Sequence, residues 1–237
     1  MSEKTKIEWT ESTWNPVTGC TPVSAGCLHC YAARFAKRLQ AMGNPRYKNA
    51  FNITIHEDLI NAPLRWKKPQ MVFVNSMSDL FHDEVPIDTI KAIFQTMNNA
   101  PIHTFQVLTK RAERLAQLAP ELNWTPNIWM GVTVENQDNL YRVDLLKSTN
   151  AHIKFVSAEP LLSALETIDL TGIDWLIVGG ESGPGCRPIK EDWILDLKQK
   201  AEQNNTAFFF KQWGGTNKKK AGSLLQGKEY KEYPLYK

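Results

Sequence analysis

Six short apolar segments, rich in β-branched and aromatic residues, recur along the chain at intervals of roughly 20 to 35 residues. Each is too short for a core helix and suits a buried strand; they are residues 71–74, 105–108, 128–134, 153–156, 175–178 and 207–210. Amphipathic helical patterns separate most of them, at residues 86–98, 111–119, 139–147 and 191–203, and the weakest such pattern lies between 156 and 175. This strand–helix–strand rhythm predicts an α/β fold with a parallel sheet.

Polar side chains follow each of these strands, and they are Asn75, Ser76, Asp79, Lys110, Glu135, Glu159, Glu181, Lys211 and Gln212. An open doubly wound sheet and a closed or partial barrel both fit the rhythm. Six polar strand ends in series favour the barrel, because a (β/α) barrel carries its active site at the carboxyl ends of its strands.

Four of these residues are predicted to form a catalytic pocket: Lys110, Glu159, Lys211 and Gln212. Two lysines beside a carboxylate suit a polar or anionic substrate. The alternative is that their charges pair with one another and serve only stability.

The N-terminal region fits the same scheme. Residues 7–14 are expected to form the first strand, and a loop at residues 15–31 leads into a helix that starts near Cys30 and ends at residues 43–45. One face of that helix carries Tyr31, Phe35, Leu39 and Met42. Residues 52–55 are a further candidate strand. We expect residues 1–215 to form the barrel and residues 216–237 to form a basic, solvated C-terminal tail.

Three of the four cysteines, Cys20, Cys27 and Cys30, lie within eleven residues, and Cys186 stands alone. Three thiolates in one loop can hold three irons of a [4Fe-4S] cluster and leave the fourth iron open to a cofactor or substrate. The alternative is a structural zinc site, which needs a fourth ligand from elsewhere. His56, His82 and Cys186 are the candidates for it.

The sequence also indicates the cellular compartment. The N-terminus lacks an apolar signal segment, and no apolar run approaches the roughly 20 residues of a membrane span. We therefore expect a cytoplasmic protein, in which clustered cysteines are metal or redox ligands rather than disulfides. The net charge of +3 gives no strong signal for nucleic acid.

The cysteine loop resembles the cluster loop of radical S-adenosylmethionine (SAM) enzymes, especially the branch related to spore photoproduct lyase. A larger set of motifs resembles the three-cysteine-motif proteins of phages and mobile elements. Those motifs lie at residues 15–32, 76–82, 131–136, 157–162, 179–183 and 211–214.

The resemblance implies a partial (β/α)6 barrel of the TIM type that binds one [4Fe-4S] cluster and SAM and abstracts hydrogen from a substrate. By position, the cluster ligands would be Cys20, Cys27 and Cys30. The cofactor contacts would be His29, Asn75, Ser76, Asp79, Glu135 and Glu181. An electron donor such as flavodoxin or ferredoxin is the implied partner.

Two motifs depart from the superfamily pattern. Six residues separate Cys20 from Cys27 where three are usual, and Asn75 to Asp79 replaces the usual Gly-Gly-Glu. Two alternative functions follow from the same residues. One is a zinc-stabilised binding protein that is associated with nucleic acid through its basic tail, and the other is a repair lyase acting on DNA lesions.

Overall fold

The computed structural model describes residues 3–5 and 7–235, and its centre is a sheet of eight strands. Two further short strands pair with each other beside it. The ten strands are β1 Glu3–Lys4, β2 Ser12–Trp14, β3 Val17–Thr18, β4 Thr54–Ile55, β5 Met71–Val74, β6 Thr104–Thr109, β7 Ile128–Thr133, β8 Ile153–Ala158, β9 Trp175–Gly179 and β10 Ala207–Gln212. All six apolar segments of the sequence are strands, so this prediction is confirmed.

The main sheet runs in the order β1-β2-β5-β6-β7-β8-β9-β10. Its seven strands from β2 to β10 are parallel, and β1 is antiparallel to β2 at one edge. Because β10 does not pair with β2, the curled sheet is a half-barrel. The predicted partial barrel is confirmed.

Seven helices accompany the sheet: α1 Tyr31–Ala41, α2 Glu57–Ile60, α3 Ile87–Asn98, α4 Ala112–Leu118, α5 Tyr141–Lys147, α6 Glu191–Gln203 and α7 Lys218–Ala221. Five of the six connections between successive parallel strands contain a helix, and the β8–β9 connection, fully described at residues 159–174, contains none. In the described part of the chain no helix is both long and apolar enough to cross a bilayer.

The two faces of the sheet bury different side chains, because alternate residues of a strand point to opposite faces. Aliphatic residues such as Val72, Val74 and Val107 pack in the large core with the helices. The concave face holds a separate cluster of large aromatic rings, among them Trp9, Phe73, Trp129, Phe155, Trp175 and Phe209. These rings pack together in the interior of the half-barrel, below the carboxyl ends of the strands.

Helix α1 forms where the sequence predicts it, but its most buried residues do not lie on the apolar face. Its buried residues are Ala32 and Ala36, whereas Tyr31, Phe35 and Met42 of the predicted apolar face are exposed. The two alanines pack with Tyr47 and Met77 in a small cluster of their own. Short side chains on the covered side bring α1 close to the protein; Leu39 packs partly buried against the same cluster, and Phe35 stays outside.

The C-terminal segment also differs from the expected solvated tail. The Phe210 N–H donates to the carbonyl of Tyr230 at 2.9 Å, and the Glu232 N–H donates to the carbonyl of Phe208 at 3.2 Å. The indole of Trp175 donates to the Glu232 carbonyl at 2.9 Å. This part of the tail therefore covers the free edge of β10, which would otherwise expose unpaired backbone groups.

Candidate active site

A cavity of about 270 Å³ opens at the carboxyl ends of the parallel strands. Twelve of the thirteen residues singled out from the sequence line it: Cys20, Cys27, His29, Cys30, Asn75, Ser76, Asp79, Lys110, Glu159, Glu181, Lys211 and Gln212. The structure thus brings together residues that lie as far as 192 positions apart in the chain. Glu135 is the exception, since it lies behind the cavity wall.

The three clustered cysteines are half-buried free thiols on one side of this cavity. Backbone hydrogen bonds fix the start of their loop: the Gly19 N–H donates to Met77 at 2.9 Å and the Cys20 N–H donates to Phe51 at 3.0 Å. Gly19 has a φ of +94°, and a Cβ there would lie 2.2 Å from the carbonyl oxygen of Asn52. Only glycine fits this close approach. Cys186 is also a free thiol, but it does not line the cavity.

Arg111 anchors the long segment between Cys20 and Cys27. Its guanidinium donates to the carbonyl and hydroxyl of Thr21 at 3.1 and 3.0 Å, and it lies 3.5 Å from the Cys20 sulfur. His82 contacts the same Thr21 hydroxyl at 2.8 Å. Burial raises the pKa of the Cys20 thiol to about 11, and the nearby Asp79 carboxylate adds to this while Arg111 opposes it.

Glu135 supports the same loop from behind, although the sequence placed it among the cofactor contacts. Its carboxylate is fully buried and accepts from the Ser24 hydroxyl at 2.6 Å and from Arg142 at 3.0 Å. A Cβ on Gly26 would lie 2.4 Å from the Glu135 carboxylate, so the loop packs directly on it. Paired and hydrogen-bonded in this way, the buried charge holds the loop in place.

Glu181 joins His29 to Arg187 at the cavity rim. It accepts from the Arg187 guanidinium at 2.9 and 2.5 Å, from the Arg187 backbone N–H at 2.9 Å, and lies 3.1 Å from His29 Nδ1. The hydrogen bonds from Arg187 lower the pKa of the Glu181 carboxyl to about 2. Arg187 also donates to the carbonyl of Ala25 at 2.9 Å, which ties the rim to the cysteine loop.

Asp79 is surrounded by donors. Its carboxylate accepts from the Phe81 N–H at 3.0 Å, the Thr109 hydroxyl at 2.6 Å, the Lys110 N–H at 3.0 Å and Arg111 at 3.4 Å. These bonds occupy the acceptor positions of both oxygens. Asp79 therefore connects the turn after β5 to the end of β6, in addition to lining the cavity.

Two buried polar atoms on the cavity wall have neither a hydrogen bond nor an ion pair among the described residues. They are the amide nitrogen of Asn75 and the hydroxyl of Thr133, in side chains that are 3% and 1% exposed. Asn75 has a φ of +58°, and its side-chain oxygen accepts from the Val17 N–H at 3.2 Å. Since buried polar groups are nearly always paired, these two atoms mark places where a ligand atom fits.

Glu159 and Lys211 form an ion pair inside the cavity, with Lys211 Nζ 3.1 Å from the carboxylate. The Trp9 indole and the Ser157 hydroxyl each donate to the other carboxylate oxygen at 3.3 Å. Lys110 Nζ lies 3.7 Å from the Glu135 carboxylate, beyond hydrogen-bond distance. Both lysines thus have a carboxylate partner, and of the two Lys211 is the one within hydrogen-bond distance of it.

Gln212 has a local structural role. Its amide donates to the Gly180 carbonyl at 2.8 Å and to the Ser182 hydroxyl at 3.0 Å, and its oxygen accepts from the Gly214 N–H. The side chain therefore fixes the loops after β9 and β10 against each other.

The sequence did not identify the arginines that organise the site, Arg111, Arg142 and Arg187. Arg111 directly follows Lys110 at the end of β6, so its strand-end position was a usable signal. Arg187 follows the glycine loop after β9, and Arg142 lies in the first turn of α5. Neither position has a local pattern that predicts its carboxylate partner.

The family comparison covers almost the whole chain. A model described as "Protein of unknown function (DUF5131)" matches residues 4–234. The chain belongs to this family. The match extends through the C-terminal segment that covers β10. No curated protein matches the sequence.

Solved structures of spore photoproduct lyase share the fold. The complex of that lyase with dinucleoside spore photoproduct has a TM-score of 0.52 and 11% sequence identity, and a point mutant has a TM-score of 0.51 and 12% identity. Each match covers 86% of this chain and 64% of the lyase chain. The half-barrel therefore has the fold of spore photoproduct lyase, and this chain spans somewhat less than two thirds of the length of the lyase.

Proposed function

We propose that this protein is a radical SAM-type enzyme that acts on a polar or anionic substrate. The observation that carries the proposal is the convergence of Cys20, Cys27 and Cys30 with six strand ends on one cavity of a radical SAM half-barrel. A binding module has no need for so many charged side chains at one opening.

The donor set fits a [4Fe-4S] cluster. Three thiols from one loop line the cavity, and among residues 3–5 and 7–235 no three His, Cys, Asp or Glu side chains are grouped to hold a single metal ion. A cluster needs its thiolates spread over three irons, whereas zinc needs four ligands around one ion. Of the three candidate fourth zinc ligands, His56 and His82 contact the hydroxyls of Thr18 and Thr21, and Cys186 does not line the cavity.

The cofactor SAM fits the polar side of the cavity. The unpaired Asn75 amide can donate to a carboxylate, and the Thr133 hydroxyl can donate or accept. The Ser76 hydroxyl donates to Asn15 at 3.1 Å and can accept. His29, held by Glu181, lies at the rim beside Cys30. Asp79 and Glu135 act mainly through the protein, because their oxygens are engaged with protein donors.

When bound, the cluster supplies one electron that cleaves SAM and starts hydrogen abstraction from the substrate. The residues of the chain bind and orient the substrate and shield it from water. The aromatic cluster of the concave face closes the bottom of the cavity to water, Lys110 offers a cation to an anionic group, and the Glu159–Lys211 pair orients a polar one.

The test begins with protein purified without oxygen. We expect about four irons and four sulfides per chain, loss of the cluster on replacement of Cys20, Cys27 or Cys30 by Ala, and its retention in Cys186→Ala as the matched control. With reductant and SAM, the loaded protein should release 5′-deoxyadenosine. Stoichiometric zinc without sulfide would overturn the proposal.

A lesion lyase is the second candidate, and the fold shared with spore photoproduct lyase favours it. This candidate differs from the first proposal only in its substrate class, so the protein that carries the cluster tests both. Conversion of dinucleoside spore photoproduct to unmodified dinucleoside, dependent on SAM and lost in Glu159→Gln, would support the lyase. SAM cleavage that is unaffected by that lesion would favour a different substrate.

A further inference from the structure

The last parallel strand is irregular where it enters the cavity wall. In β10, Phe210 is opposite Val178 of β9. The next residue of β9, Gly179, is opposite Gln212, so Lys211 is an extra residue in the ladder. Such a bulge interrupts the alternation of side chains, and bulges are common beside active sites, where they redirect a side chain. Here two consecutive side chains, Lys211 and Gln212, both line the cavity.

A lysine of the C-terminal segment donates to the carbonyls of this bulge. Lys231 pairs with Phe209 in an antiparallel bridge, so the two side chains share the concave face of the sheet. Its ammonium lies 4.6 Å from the centre of the Phe209 ring. It donates to the carbonyl of Phe210 at 2.7 Å and to that of Lys211 at 3.2 Å. Two carbonyls and one ring face thus engage its three N–H donors.

The C-terminal segment has other contacts that hold it on the sheet. Backbone hydrogen bonds join it to β10, and the Trp175 indole donates to its backbone. The Tyr233 ring packs against the rings of Trp175 and Phe209, with centroids 5.1 and 5.5 Å apart. Lys231 therefore adds something that these contacts do not supply, which is a pair of hydrogen bonds to the bulge itself.

We propose that Lys231 is a positioning residue of the cavity, because its ammonium fixes the bulge that directs Lys211 toward Glu159. Lys211 Nζ lies 3.1 Å from the Glu159 carboxylate, and its side chain starts from the backbone that Lys231 holds. A bulge lacks the regular ladder bonds of a strand, so a side-chain donor to its carbonyls replaces that restraint. Resting on the proposed function, in which the Glu159–Lys211 pair orients a polar group of the substrate, this makes the C-terminal segment part of the substrate site.

The test measures how fast each lysine of the full chain reacts with a trace of acetic anhydride, read by mass spectrometry. Acetylation needs an accessible amine that no carboxylate holds, so Lys211, whose side chain is 19% exposed and ion-paired, should react slowly. Lys231→Met removes the donors to the bulge, whereas Lys231→Arg keeps a cation with several N–H donors. Lys198→Met is the matched control, because Lys198 lies over the Tyr230 ring of the same segment but donates to Glu202.

We expect Lys231→Met to raise the acetylation rate of Lys211 at least about threefold, because an amine released from its carboxylate reacts as an exposed lysine does. Lys231→Arg should restore most of the wild-type rate, and Lys198→Met should leave it unchanged. Lys154, half-buried near the amino end of β8, is the internal reference for opening of the whole fold, and its rate should stay constant.

Three results would overturn the inference. They are equal Lys211 rates in wild type and Lys231→Met, a rise that Lys198→Met or Lys154 shares, and equal rates in the Met and Arg variants. If Lys231→Met does not fold, Lys231→Gln takes its place, since it also removes the cation.

The labelling needs neither cluster nor substrate, so failure of the proposed function is separately visible. Purified protein without a cluster would sink that function and leave the Lys231 result standing. Protein that holds the cluster, with Lys211 equally reactive in wild type and Lys231→Met, would sink only the positioning role.

Discussion

Helices α3 and α1 have apolar patterns of similar strength in the sequence, but their large apolar residues differ in burial. In α3 the residues Ile90, Phe94 and Met97 are buried to 1% exposure or less, in contact with the sheet. In α1 the corresponding large residues Phe35 and Met42 are exposed, and only Ala32 and Ala36 are buried. Periodicity shows that a helix has an apolar side, but what covers that side depends on the elements around it.

The largest expected effect tests this contrast directly. Phe94→Ala removes a buried ring and leaves a cavity, so the free energy of unfolding should fall by about 3–5 kcal/mol. Phe35→Ala removes the same ring from an exposed position, and the change should stay within about 0.5 kcal/mol. Urea unfolding of both variants measures the difference. Equal losses would mean that α1 buries Phe35 against the rest of the protein in solution.

The sequence predicted the sheet well because its strands are buried on both faces, and burial leaves continuous apolar segments such as residues 128–133. It also predicted the members of the cavity wall, because parallel strands bring their carboxyl ends to one edge. It was wrong at the C-terminal segment, and it did not predict which side of α1 is buried, because both depend on which surface covers which. Local periodicity does not show which other element covers a given surface.

In the site, too, the sequence predicted where residues lie but not which side chains they contact. Position along the strands predicted that Asp79 and Glu135 lie at the functional end of the barrel. It did not predict that Arg111, just after β6, and Arg142, in α5, occupy their oxygens, since a pair such as Glu135 and Arg142 forms only once the chain has folded. The sequence therefore identified the charged residues, and the hydrogen bonds of the fold decide which face a ligand and which support the cysteine loop.

A second prediction compares the anchored loop with the exposed helix that follows it. Arg111→Met should lower the free energy of unfolding of the metal-free protein by about 1.5–3 kcal/mol, because hydrogen bonds to Asp79 and Thr21 are lost from a buried site. Arg38→Met, on the exposed side of α1, should change it by less than about 0.5 kcal/mol. Urea unfolding measures both.

Protease sensitivity provides the control for that interpretation. If Arg111 holds the segment between Cys20 and Cys27, Arg111→Met should be cleaved there faster than wild type. The two proteins are compared under conditions in which their free energies of unfolding are equal. An unchanged cleavage pattern would mean that His82 and the backbone bonds of Gly19 and Cys20 suffice to fix the loop.

The smallest expected effect concerns the rim that joins the loop to the barrel. Because Arg187 lowers the pKa of Glu181 from its ordinary 4.5 to about 2, the ionised carboxylate is more stable in the folded than in the unfolded chain. This contribution is complete above pH 4.5 and is lost as the pH falls toward 2. The stability difference between wild type and Glu181→Gln should therefore shrink by about 2 kcal/mol between pH 6 and pH 2.5.

Using the difference between the two proteins cancels the titration of Asp169, whose pKa Lys147 also lowers. A difference that is constant with pH would show that the Arg187 contact does not persist in solution, and that the cysteine loop is held to the barrel without it.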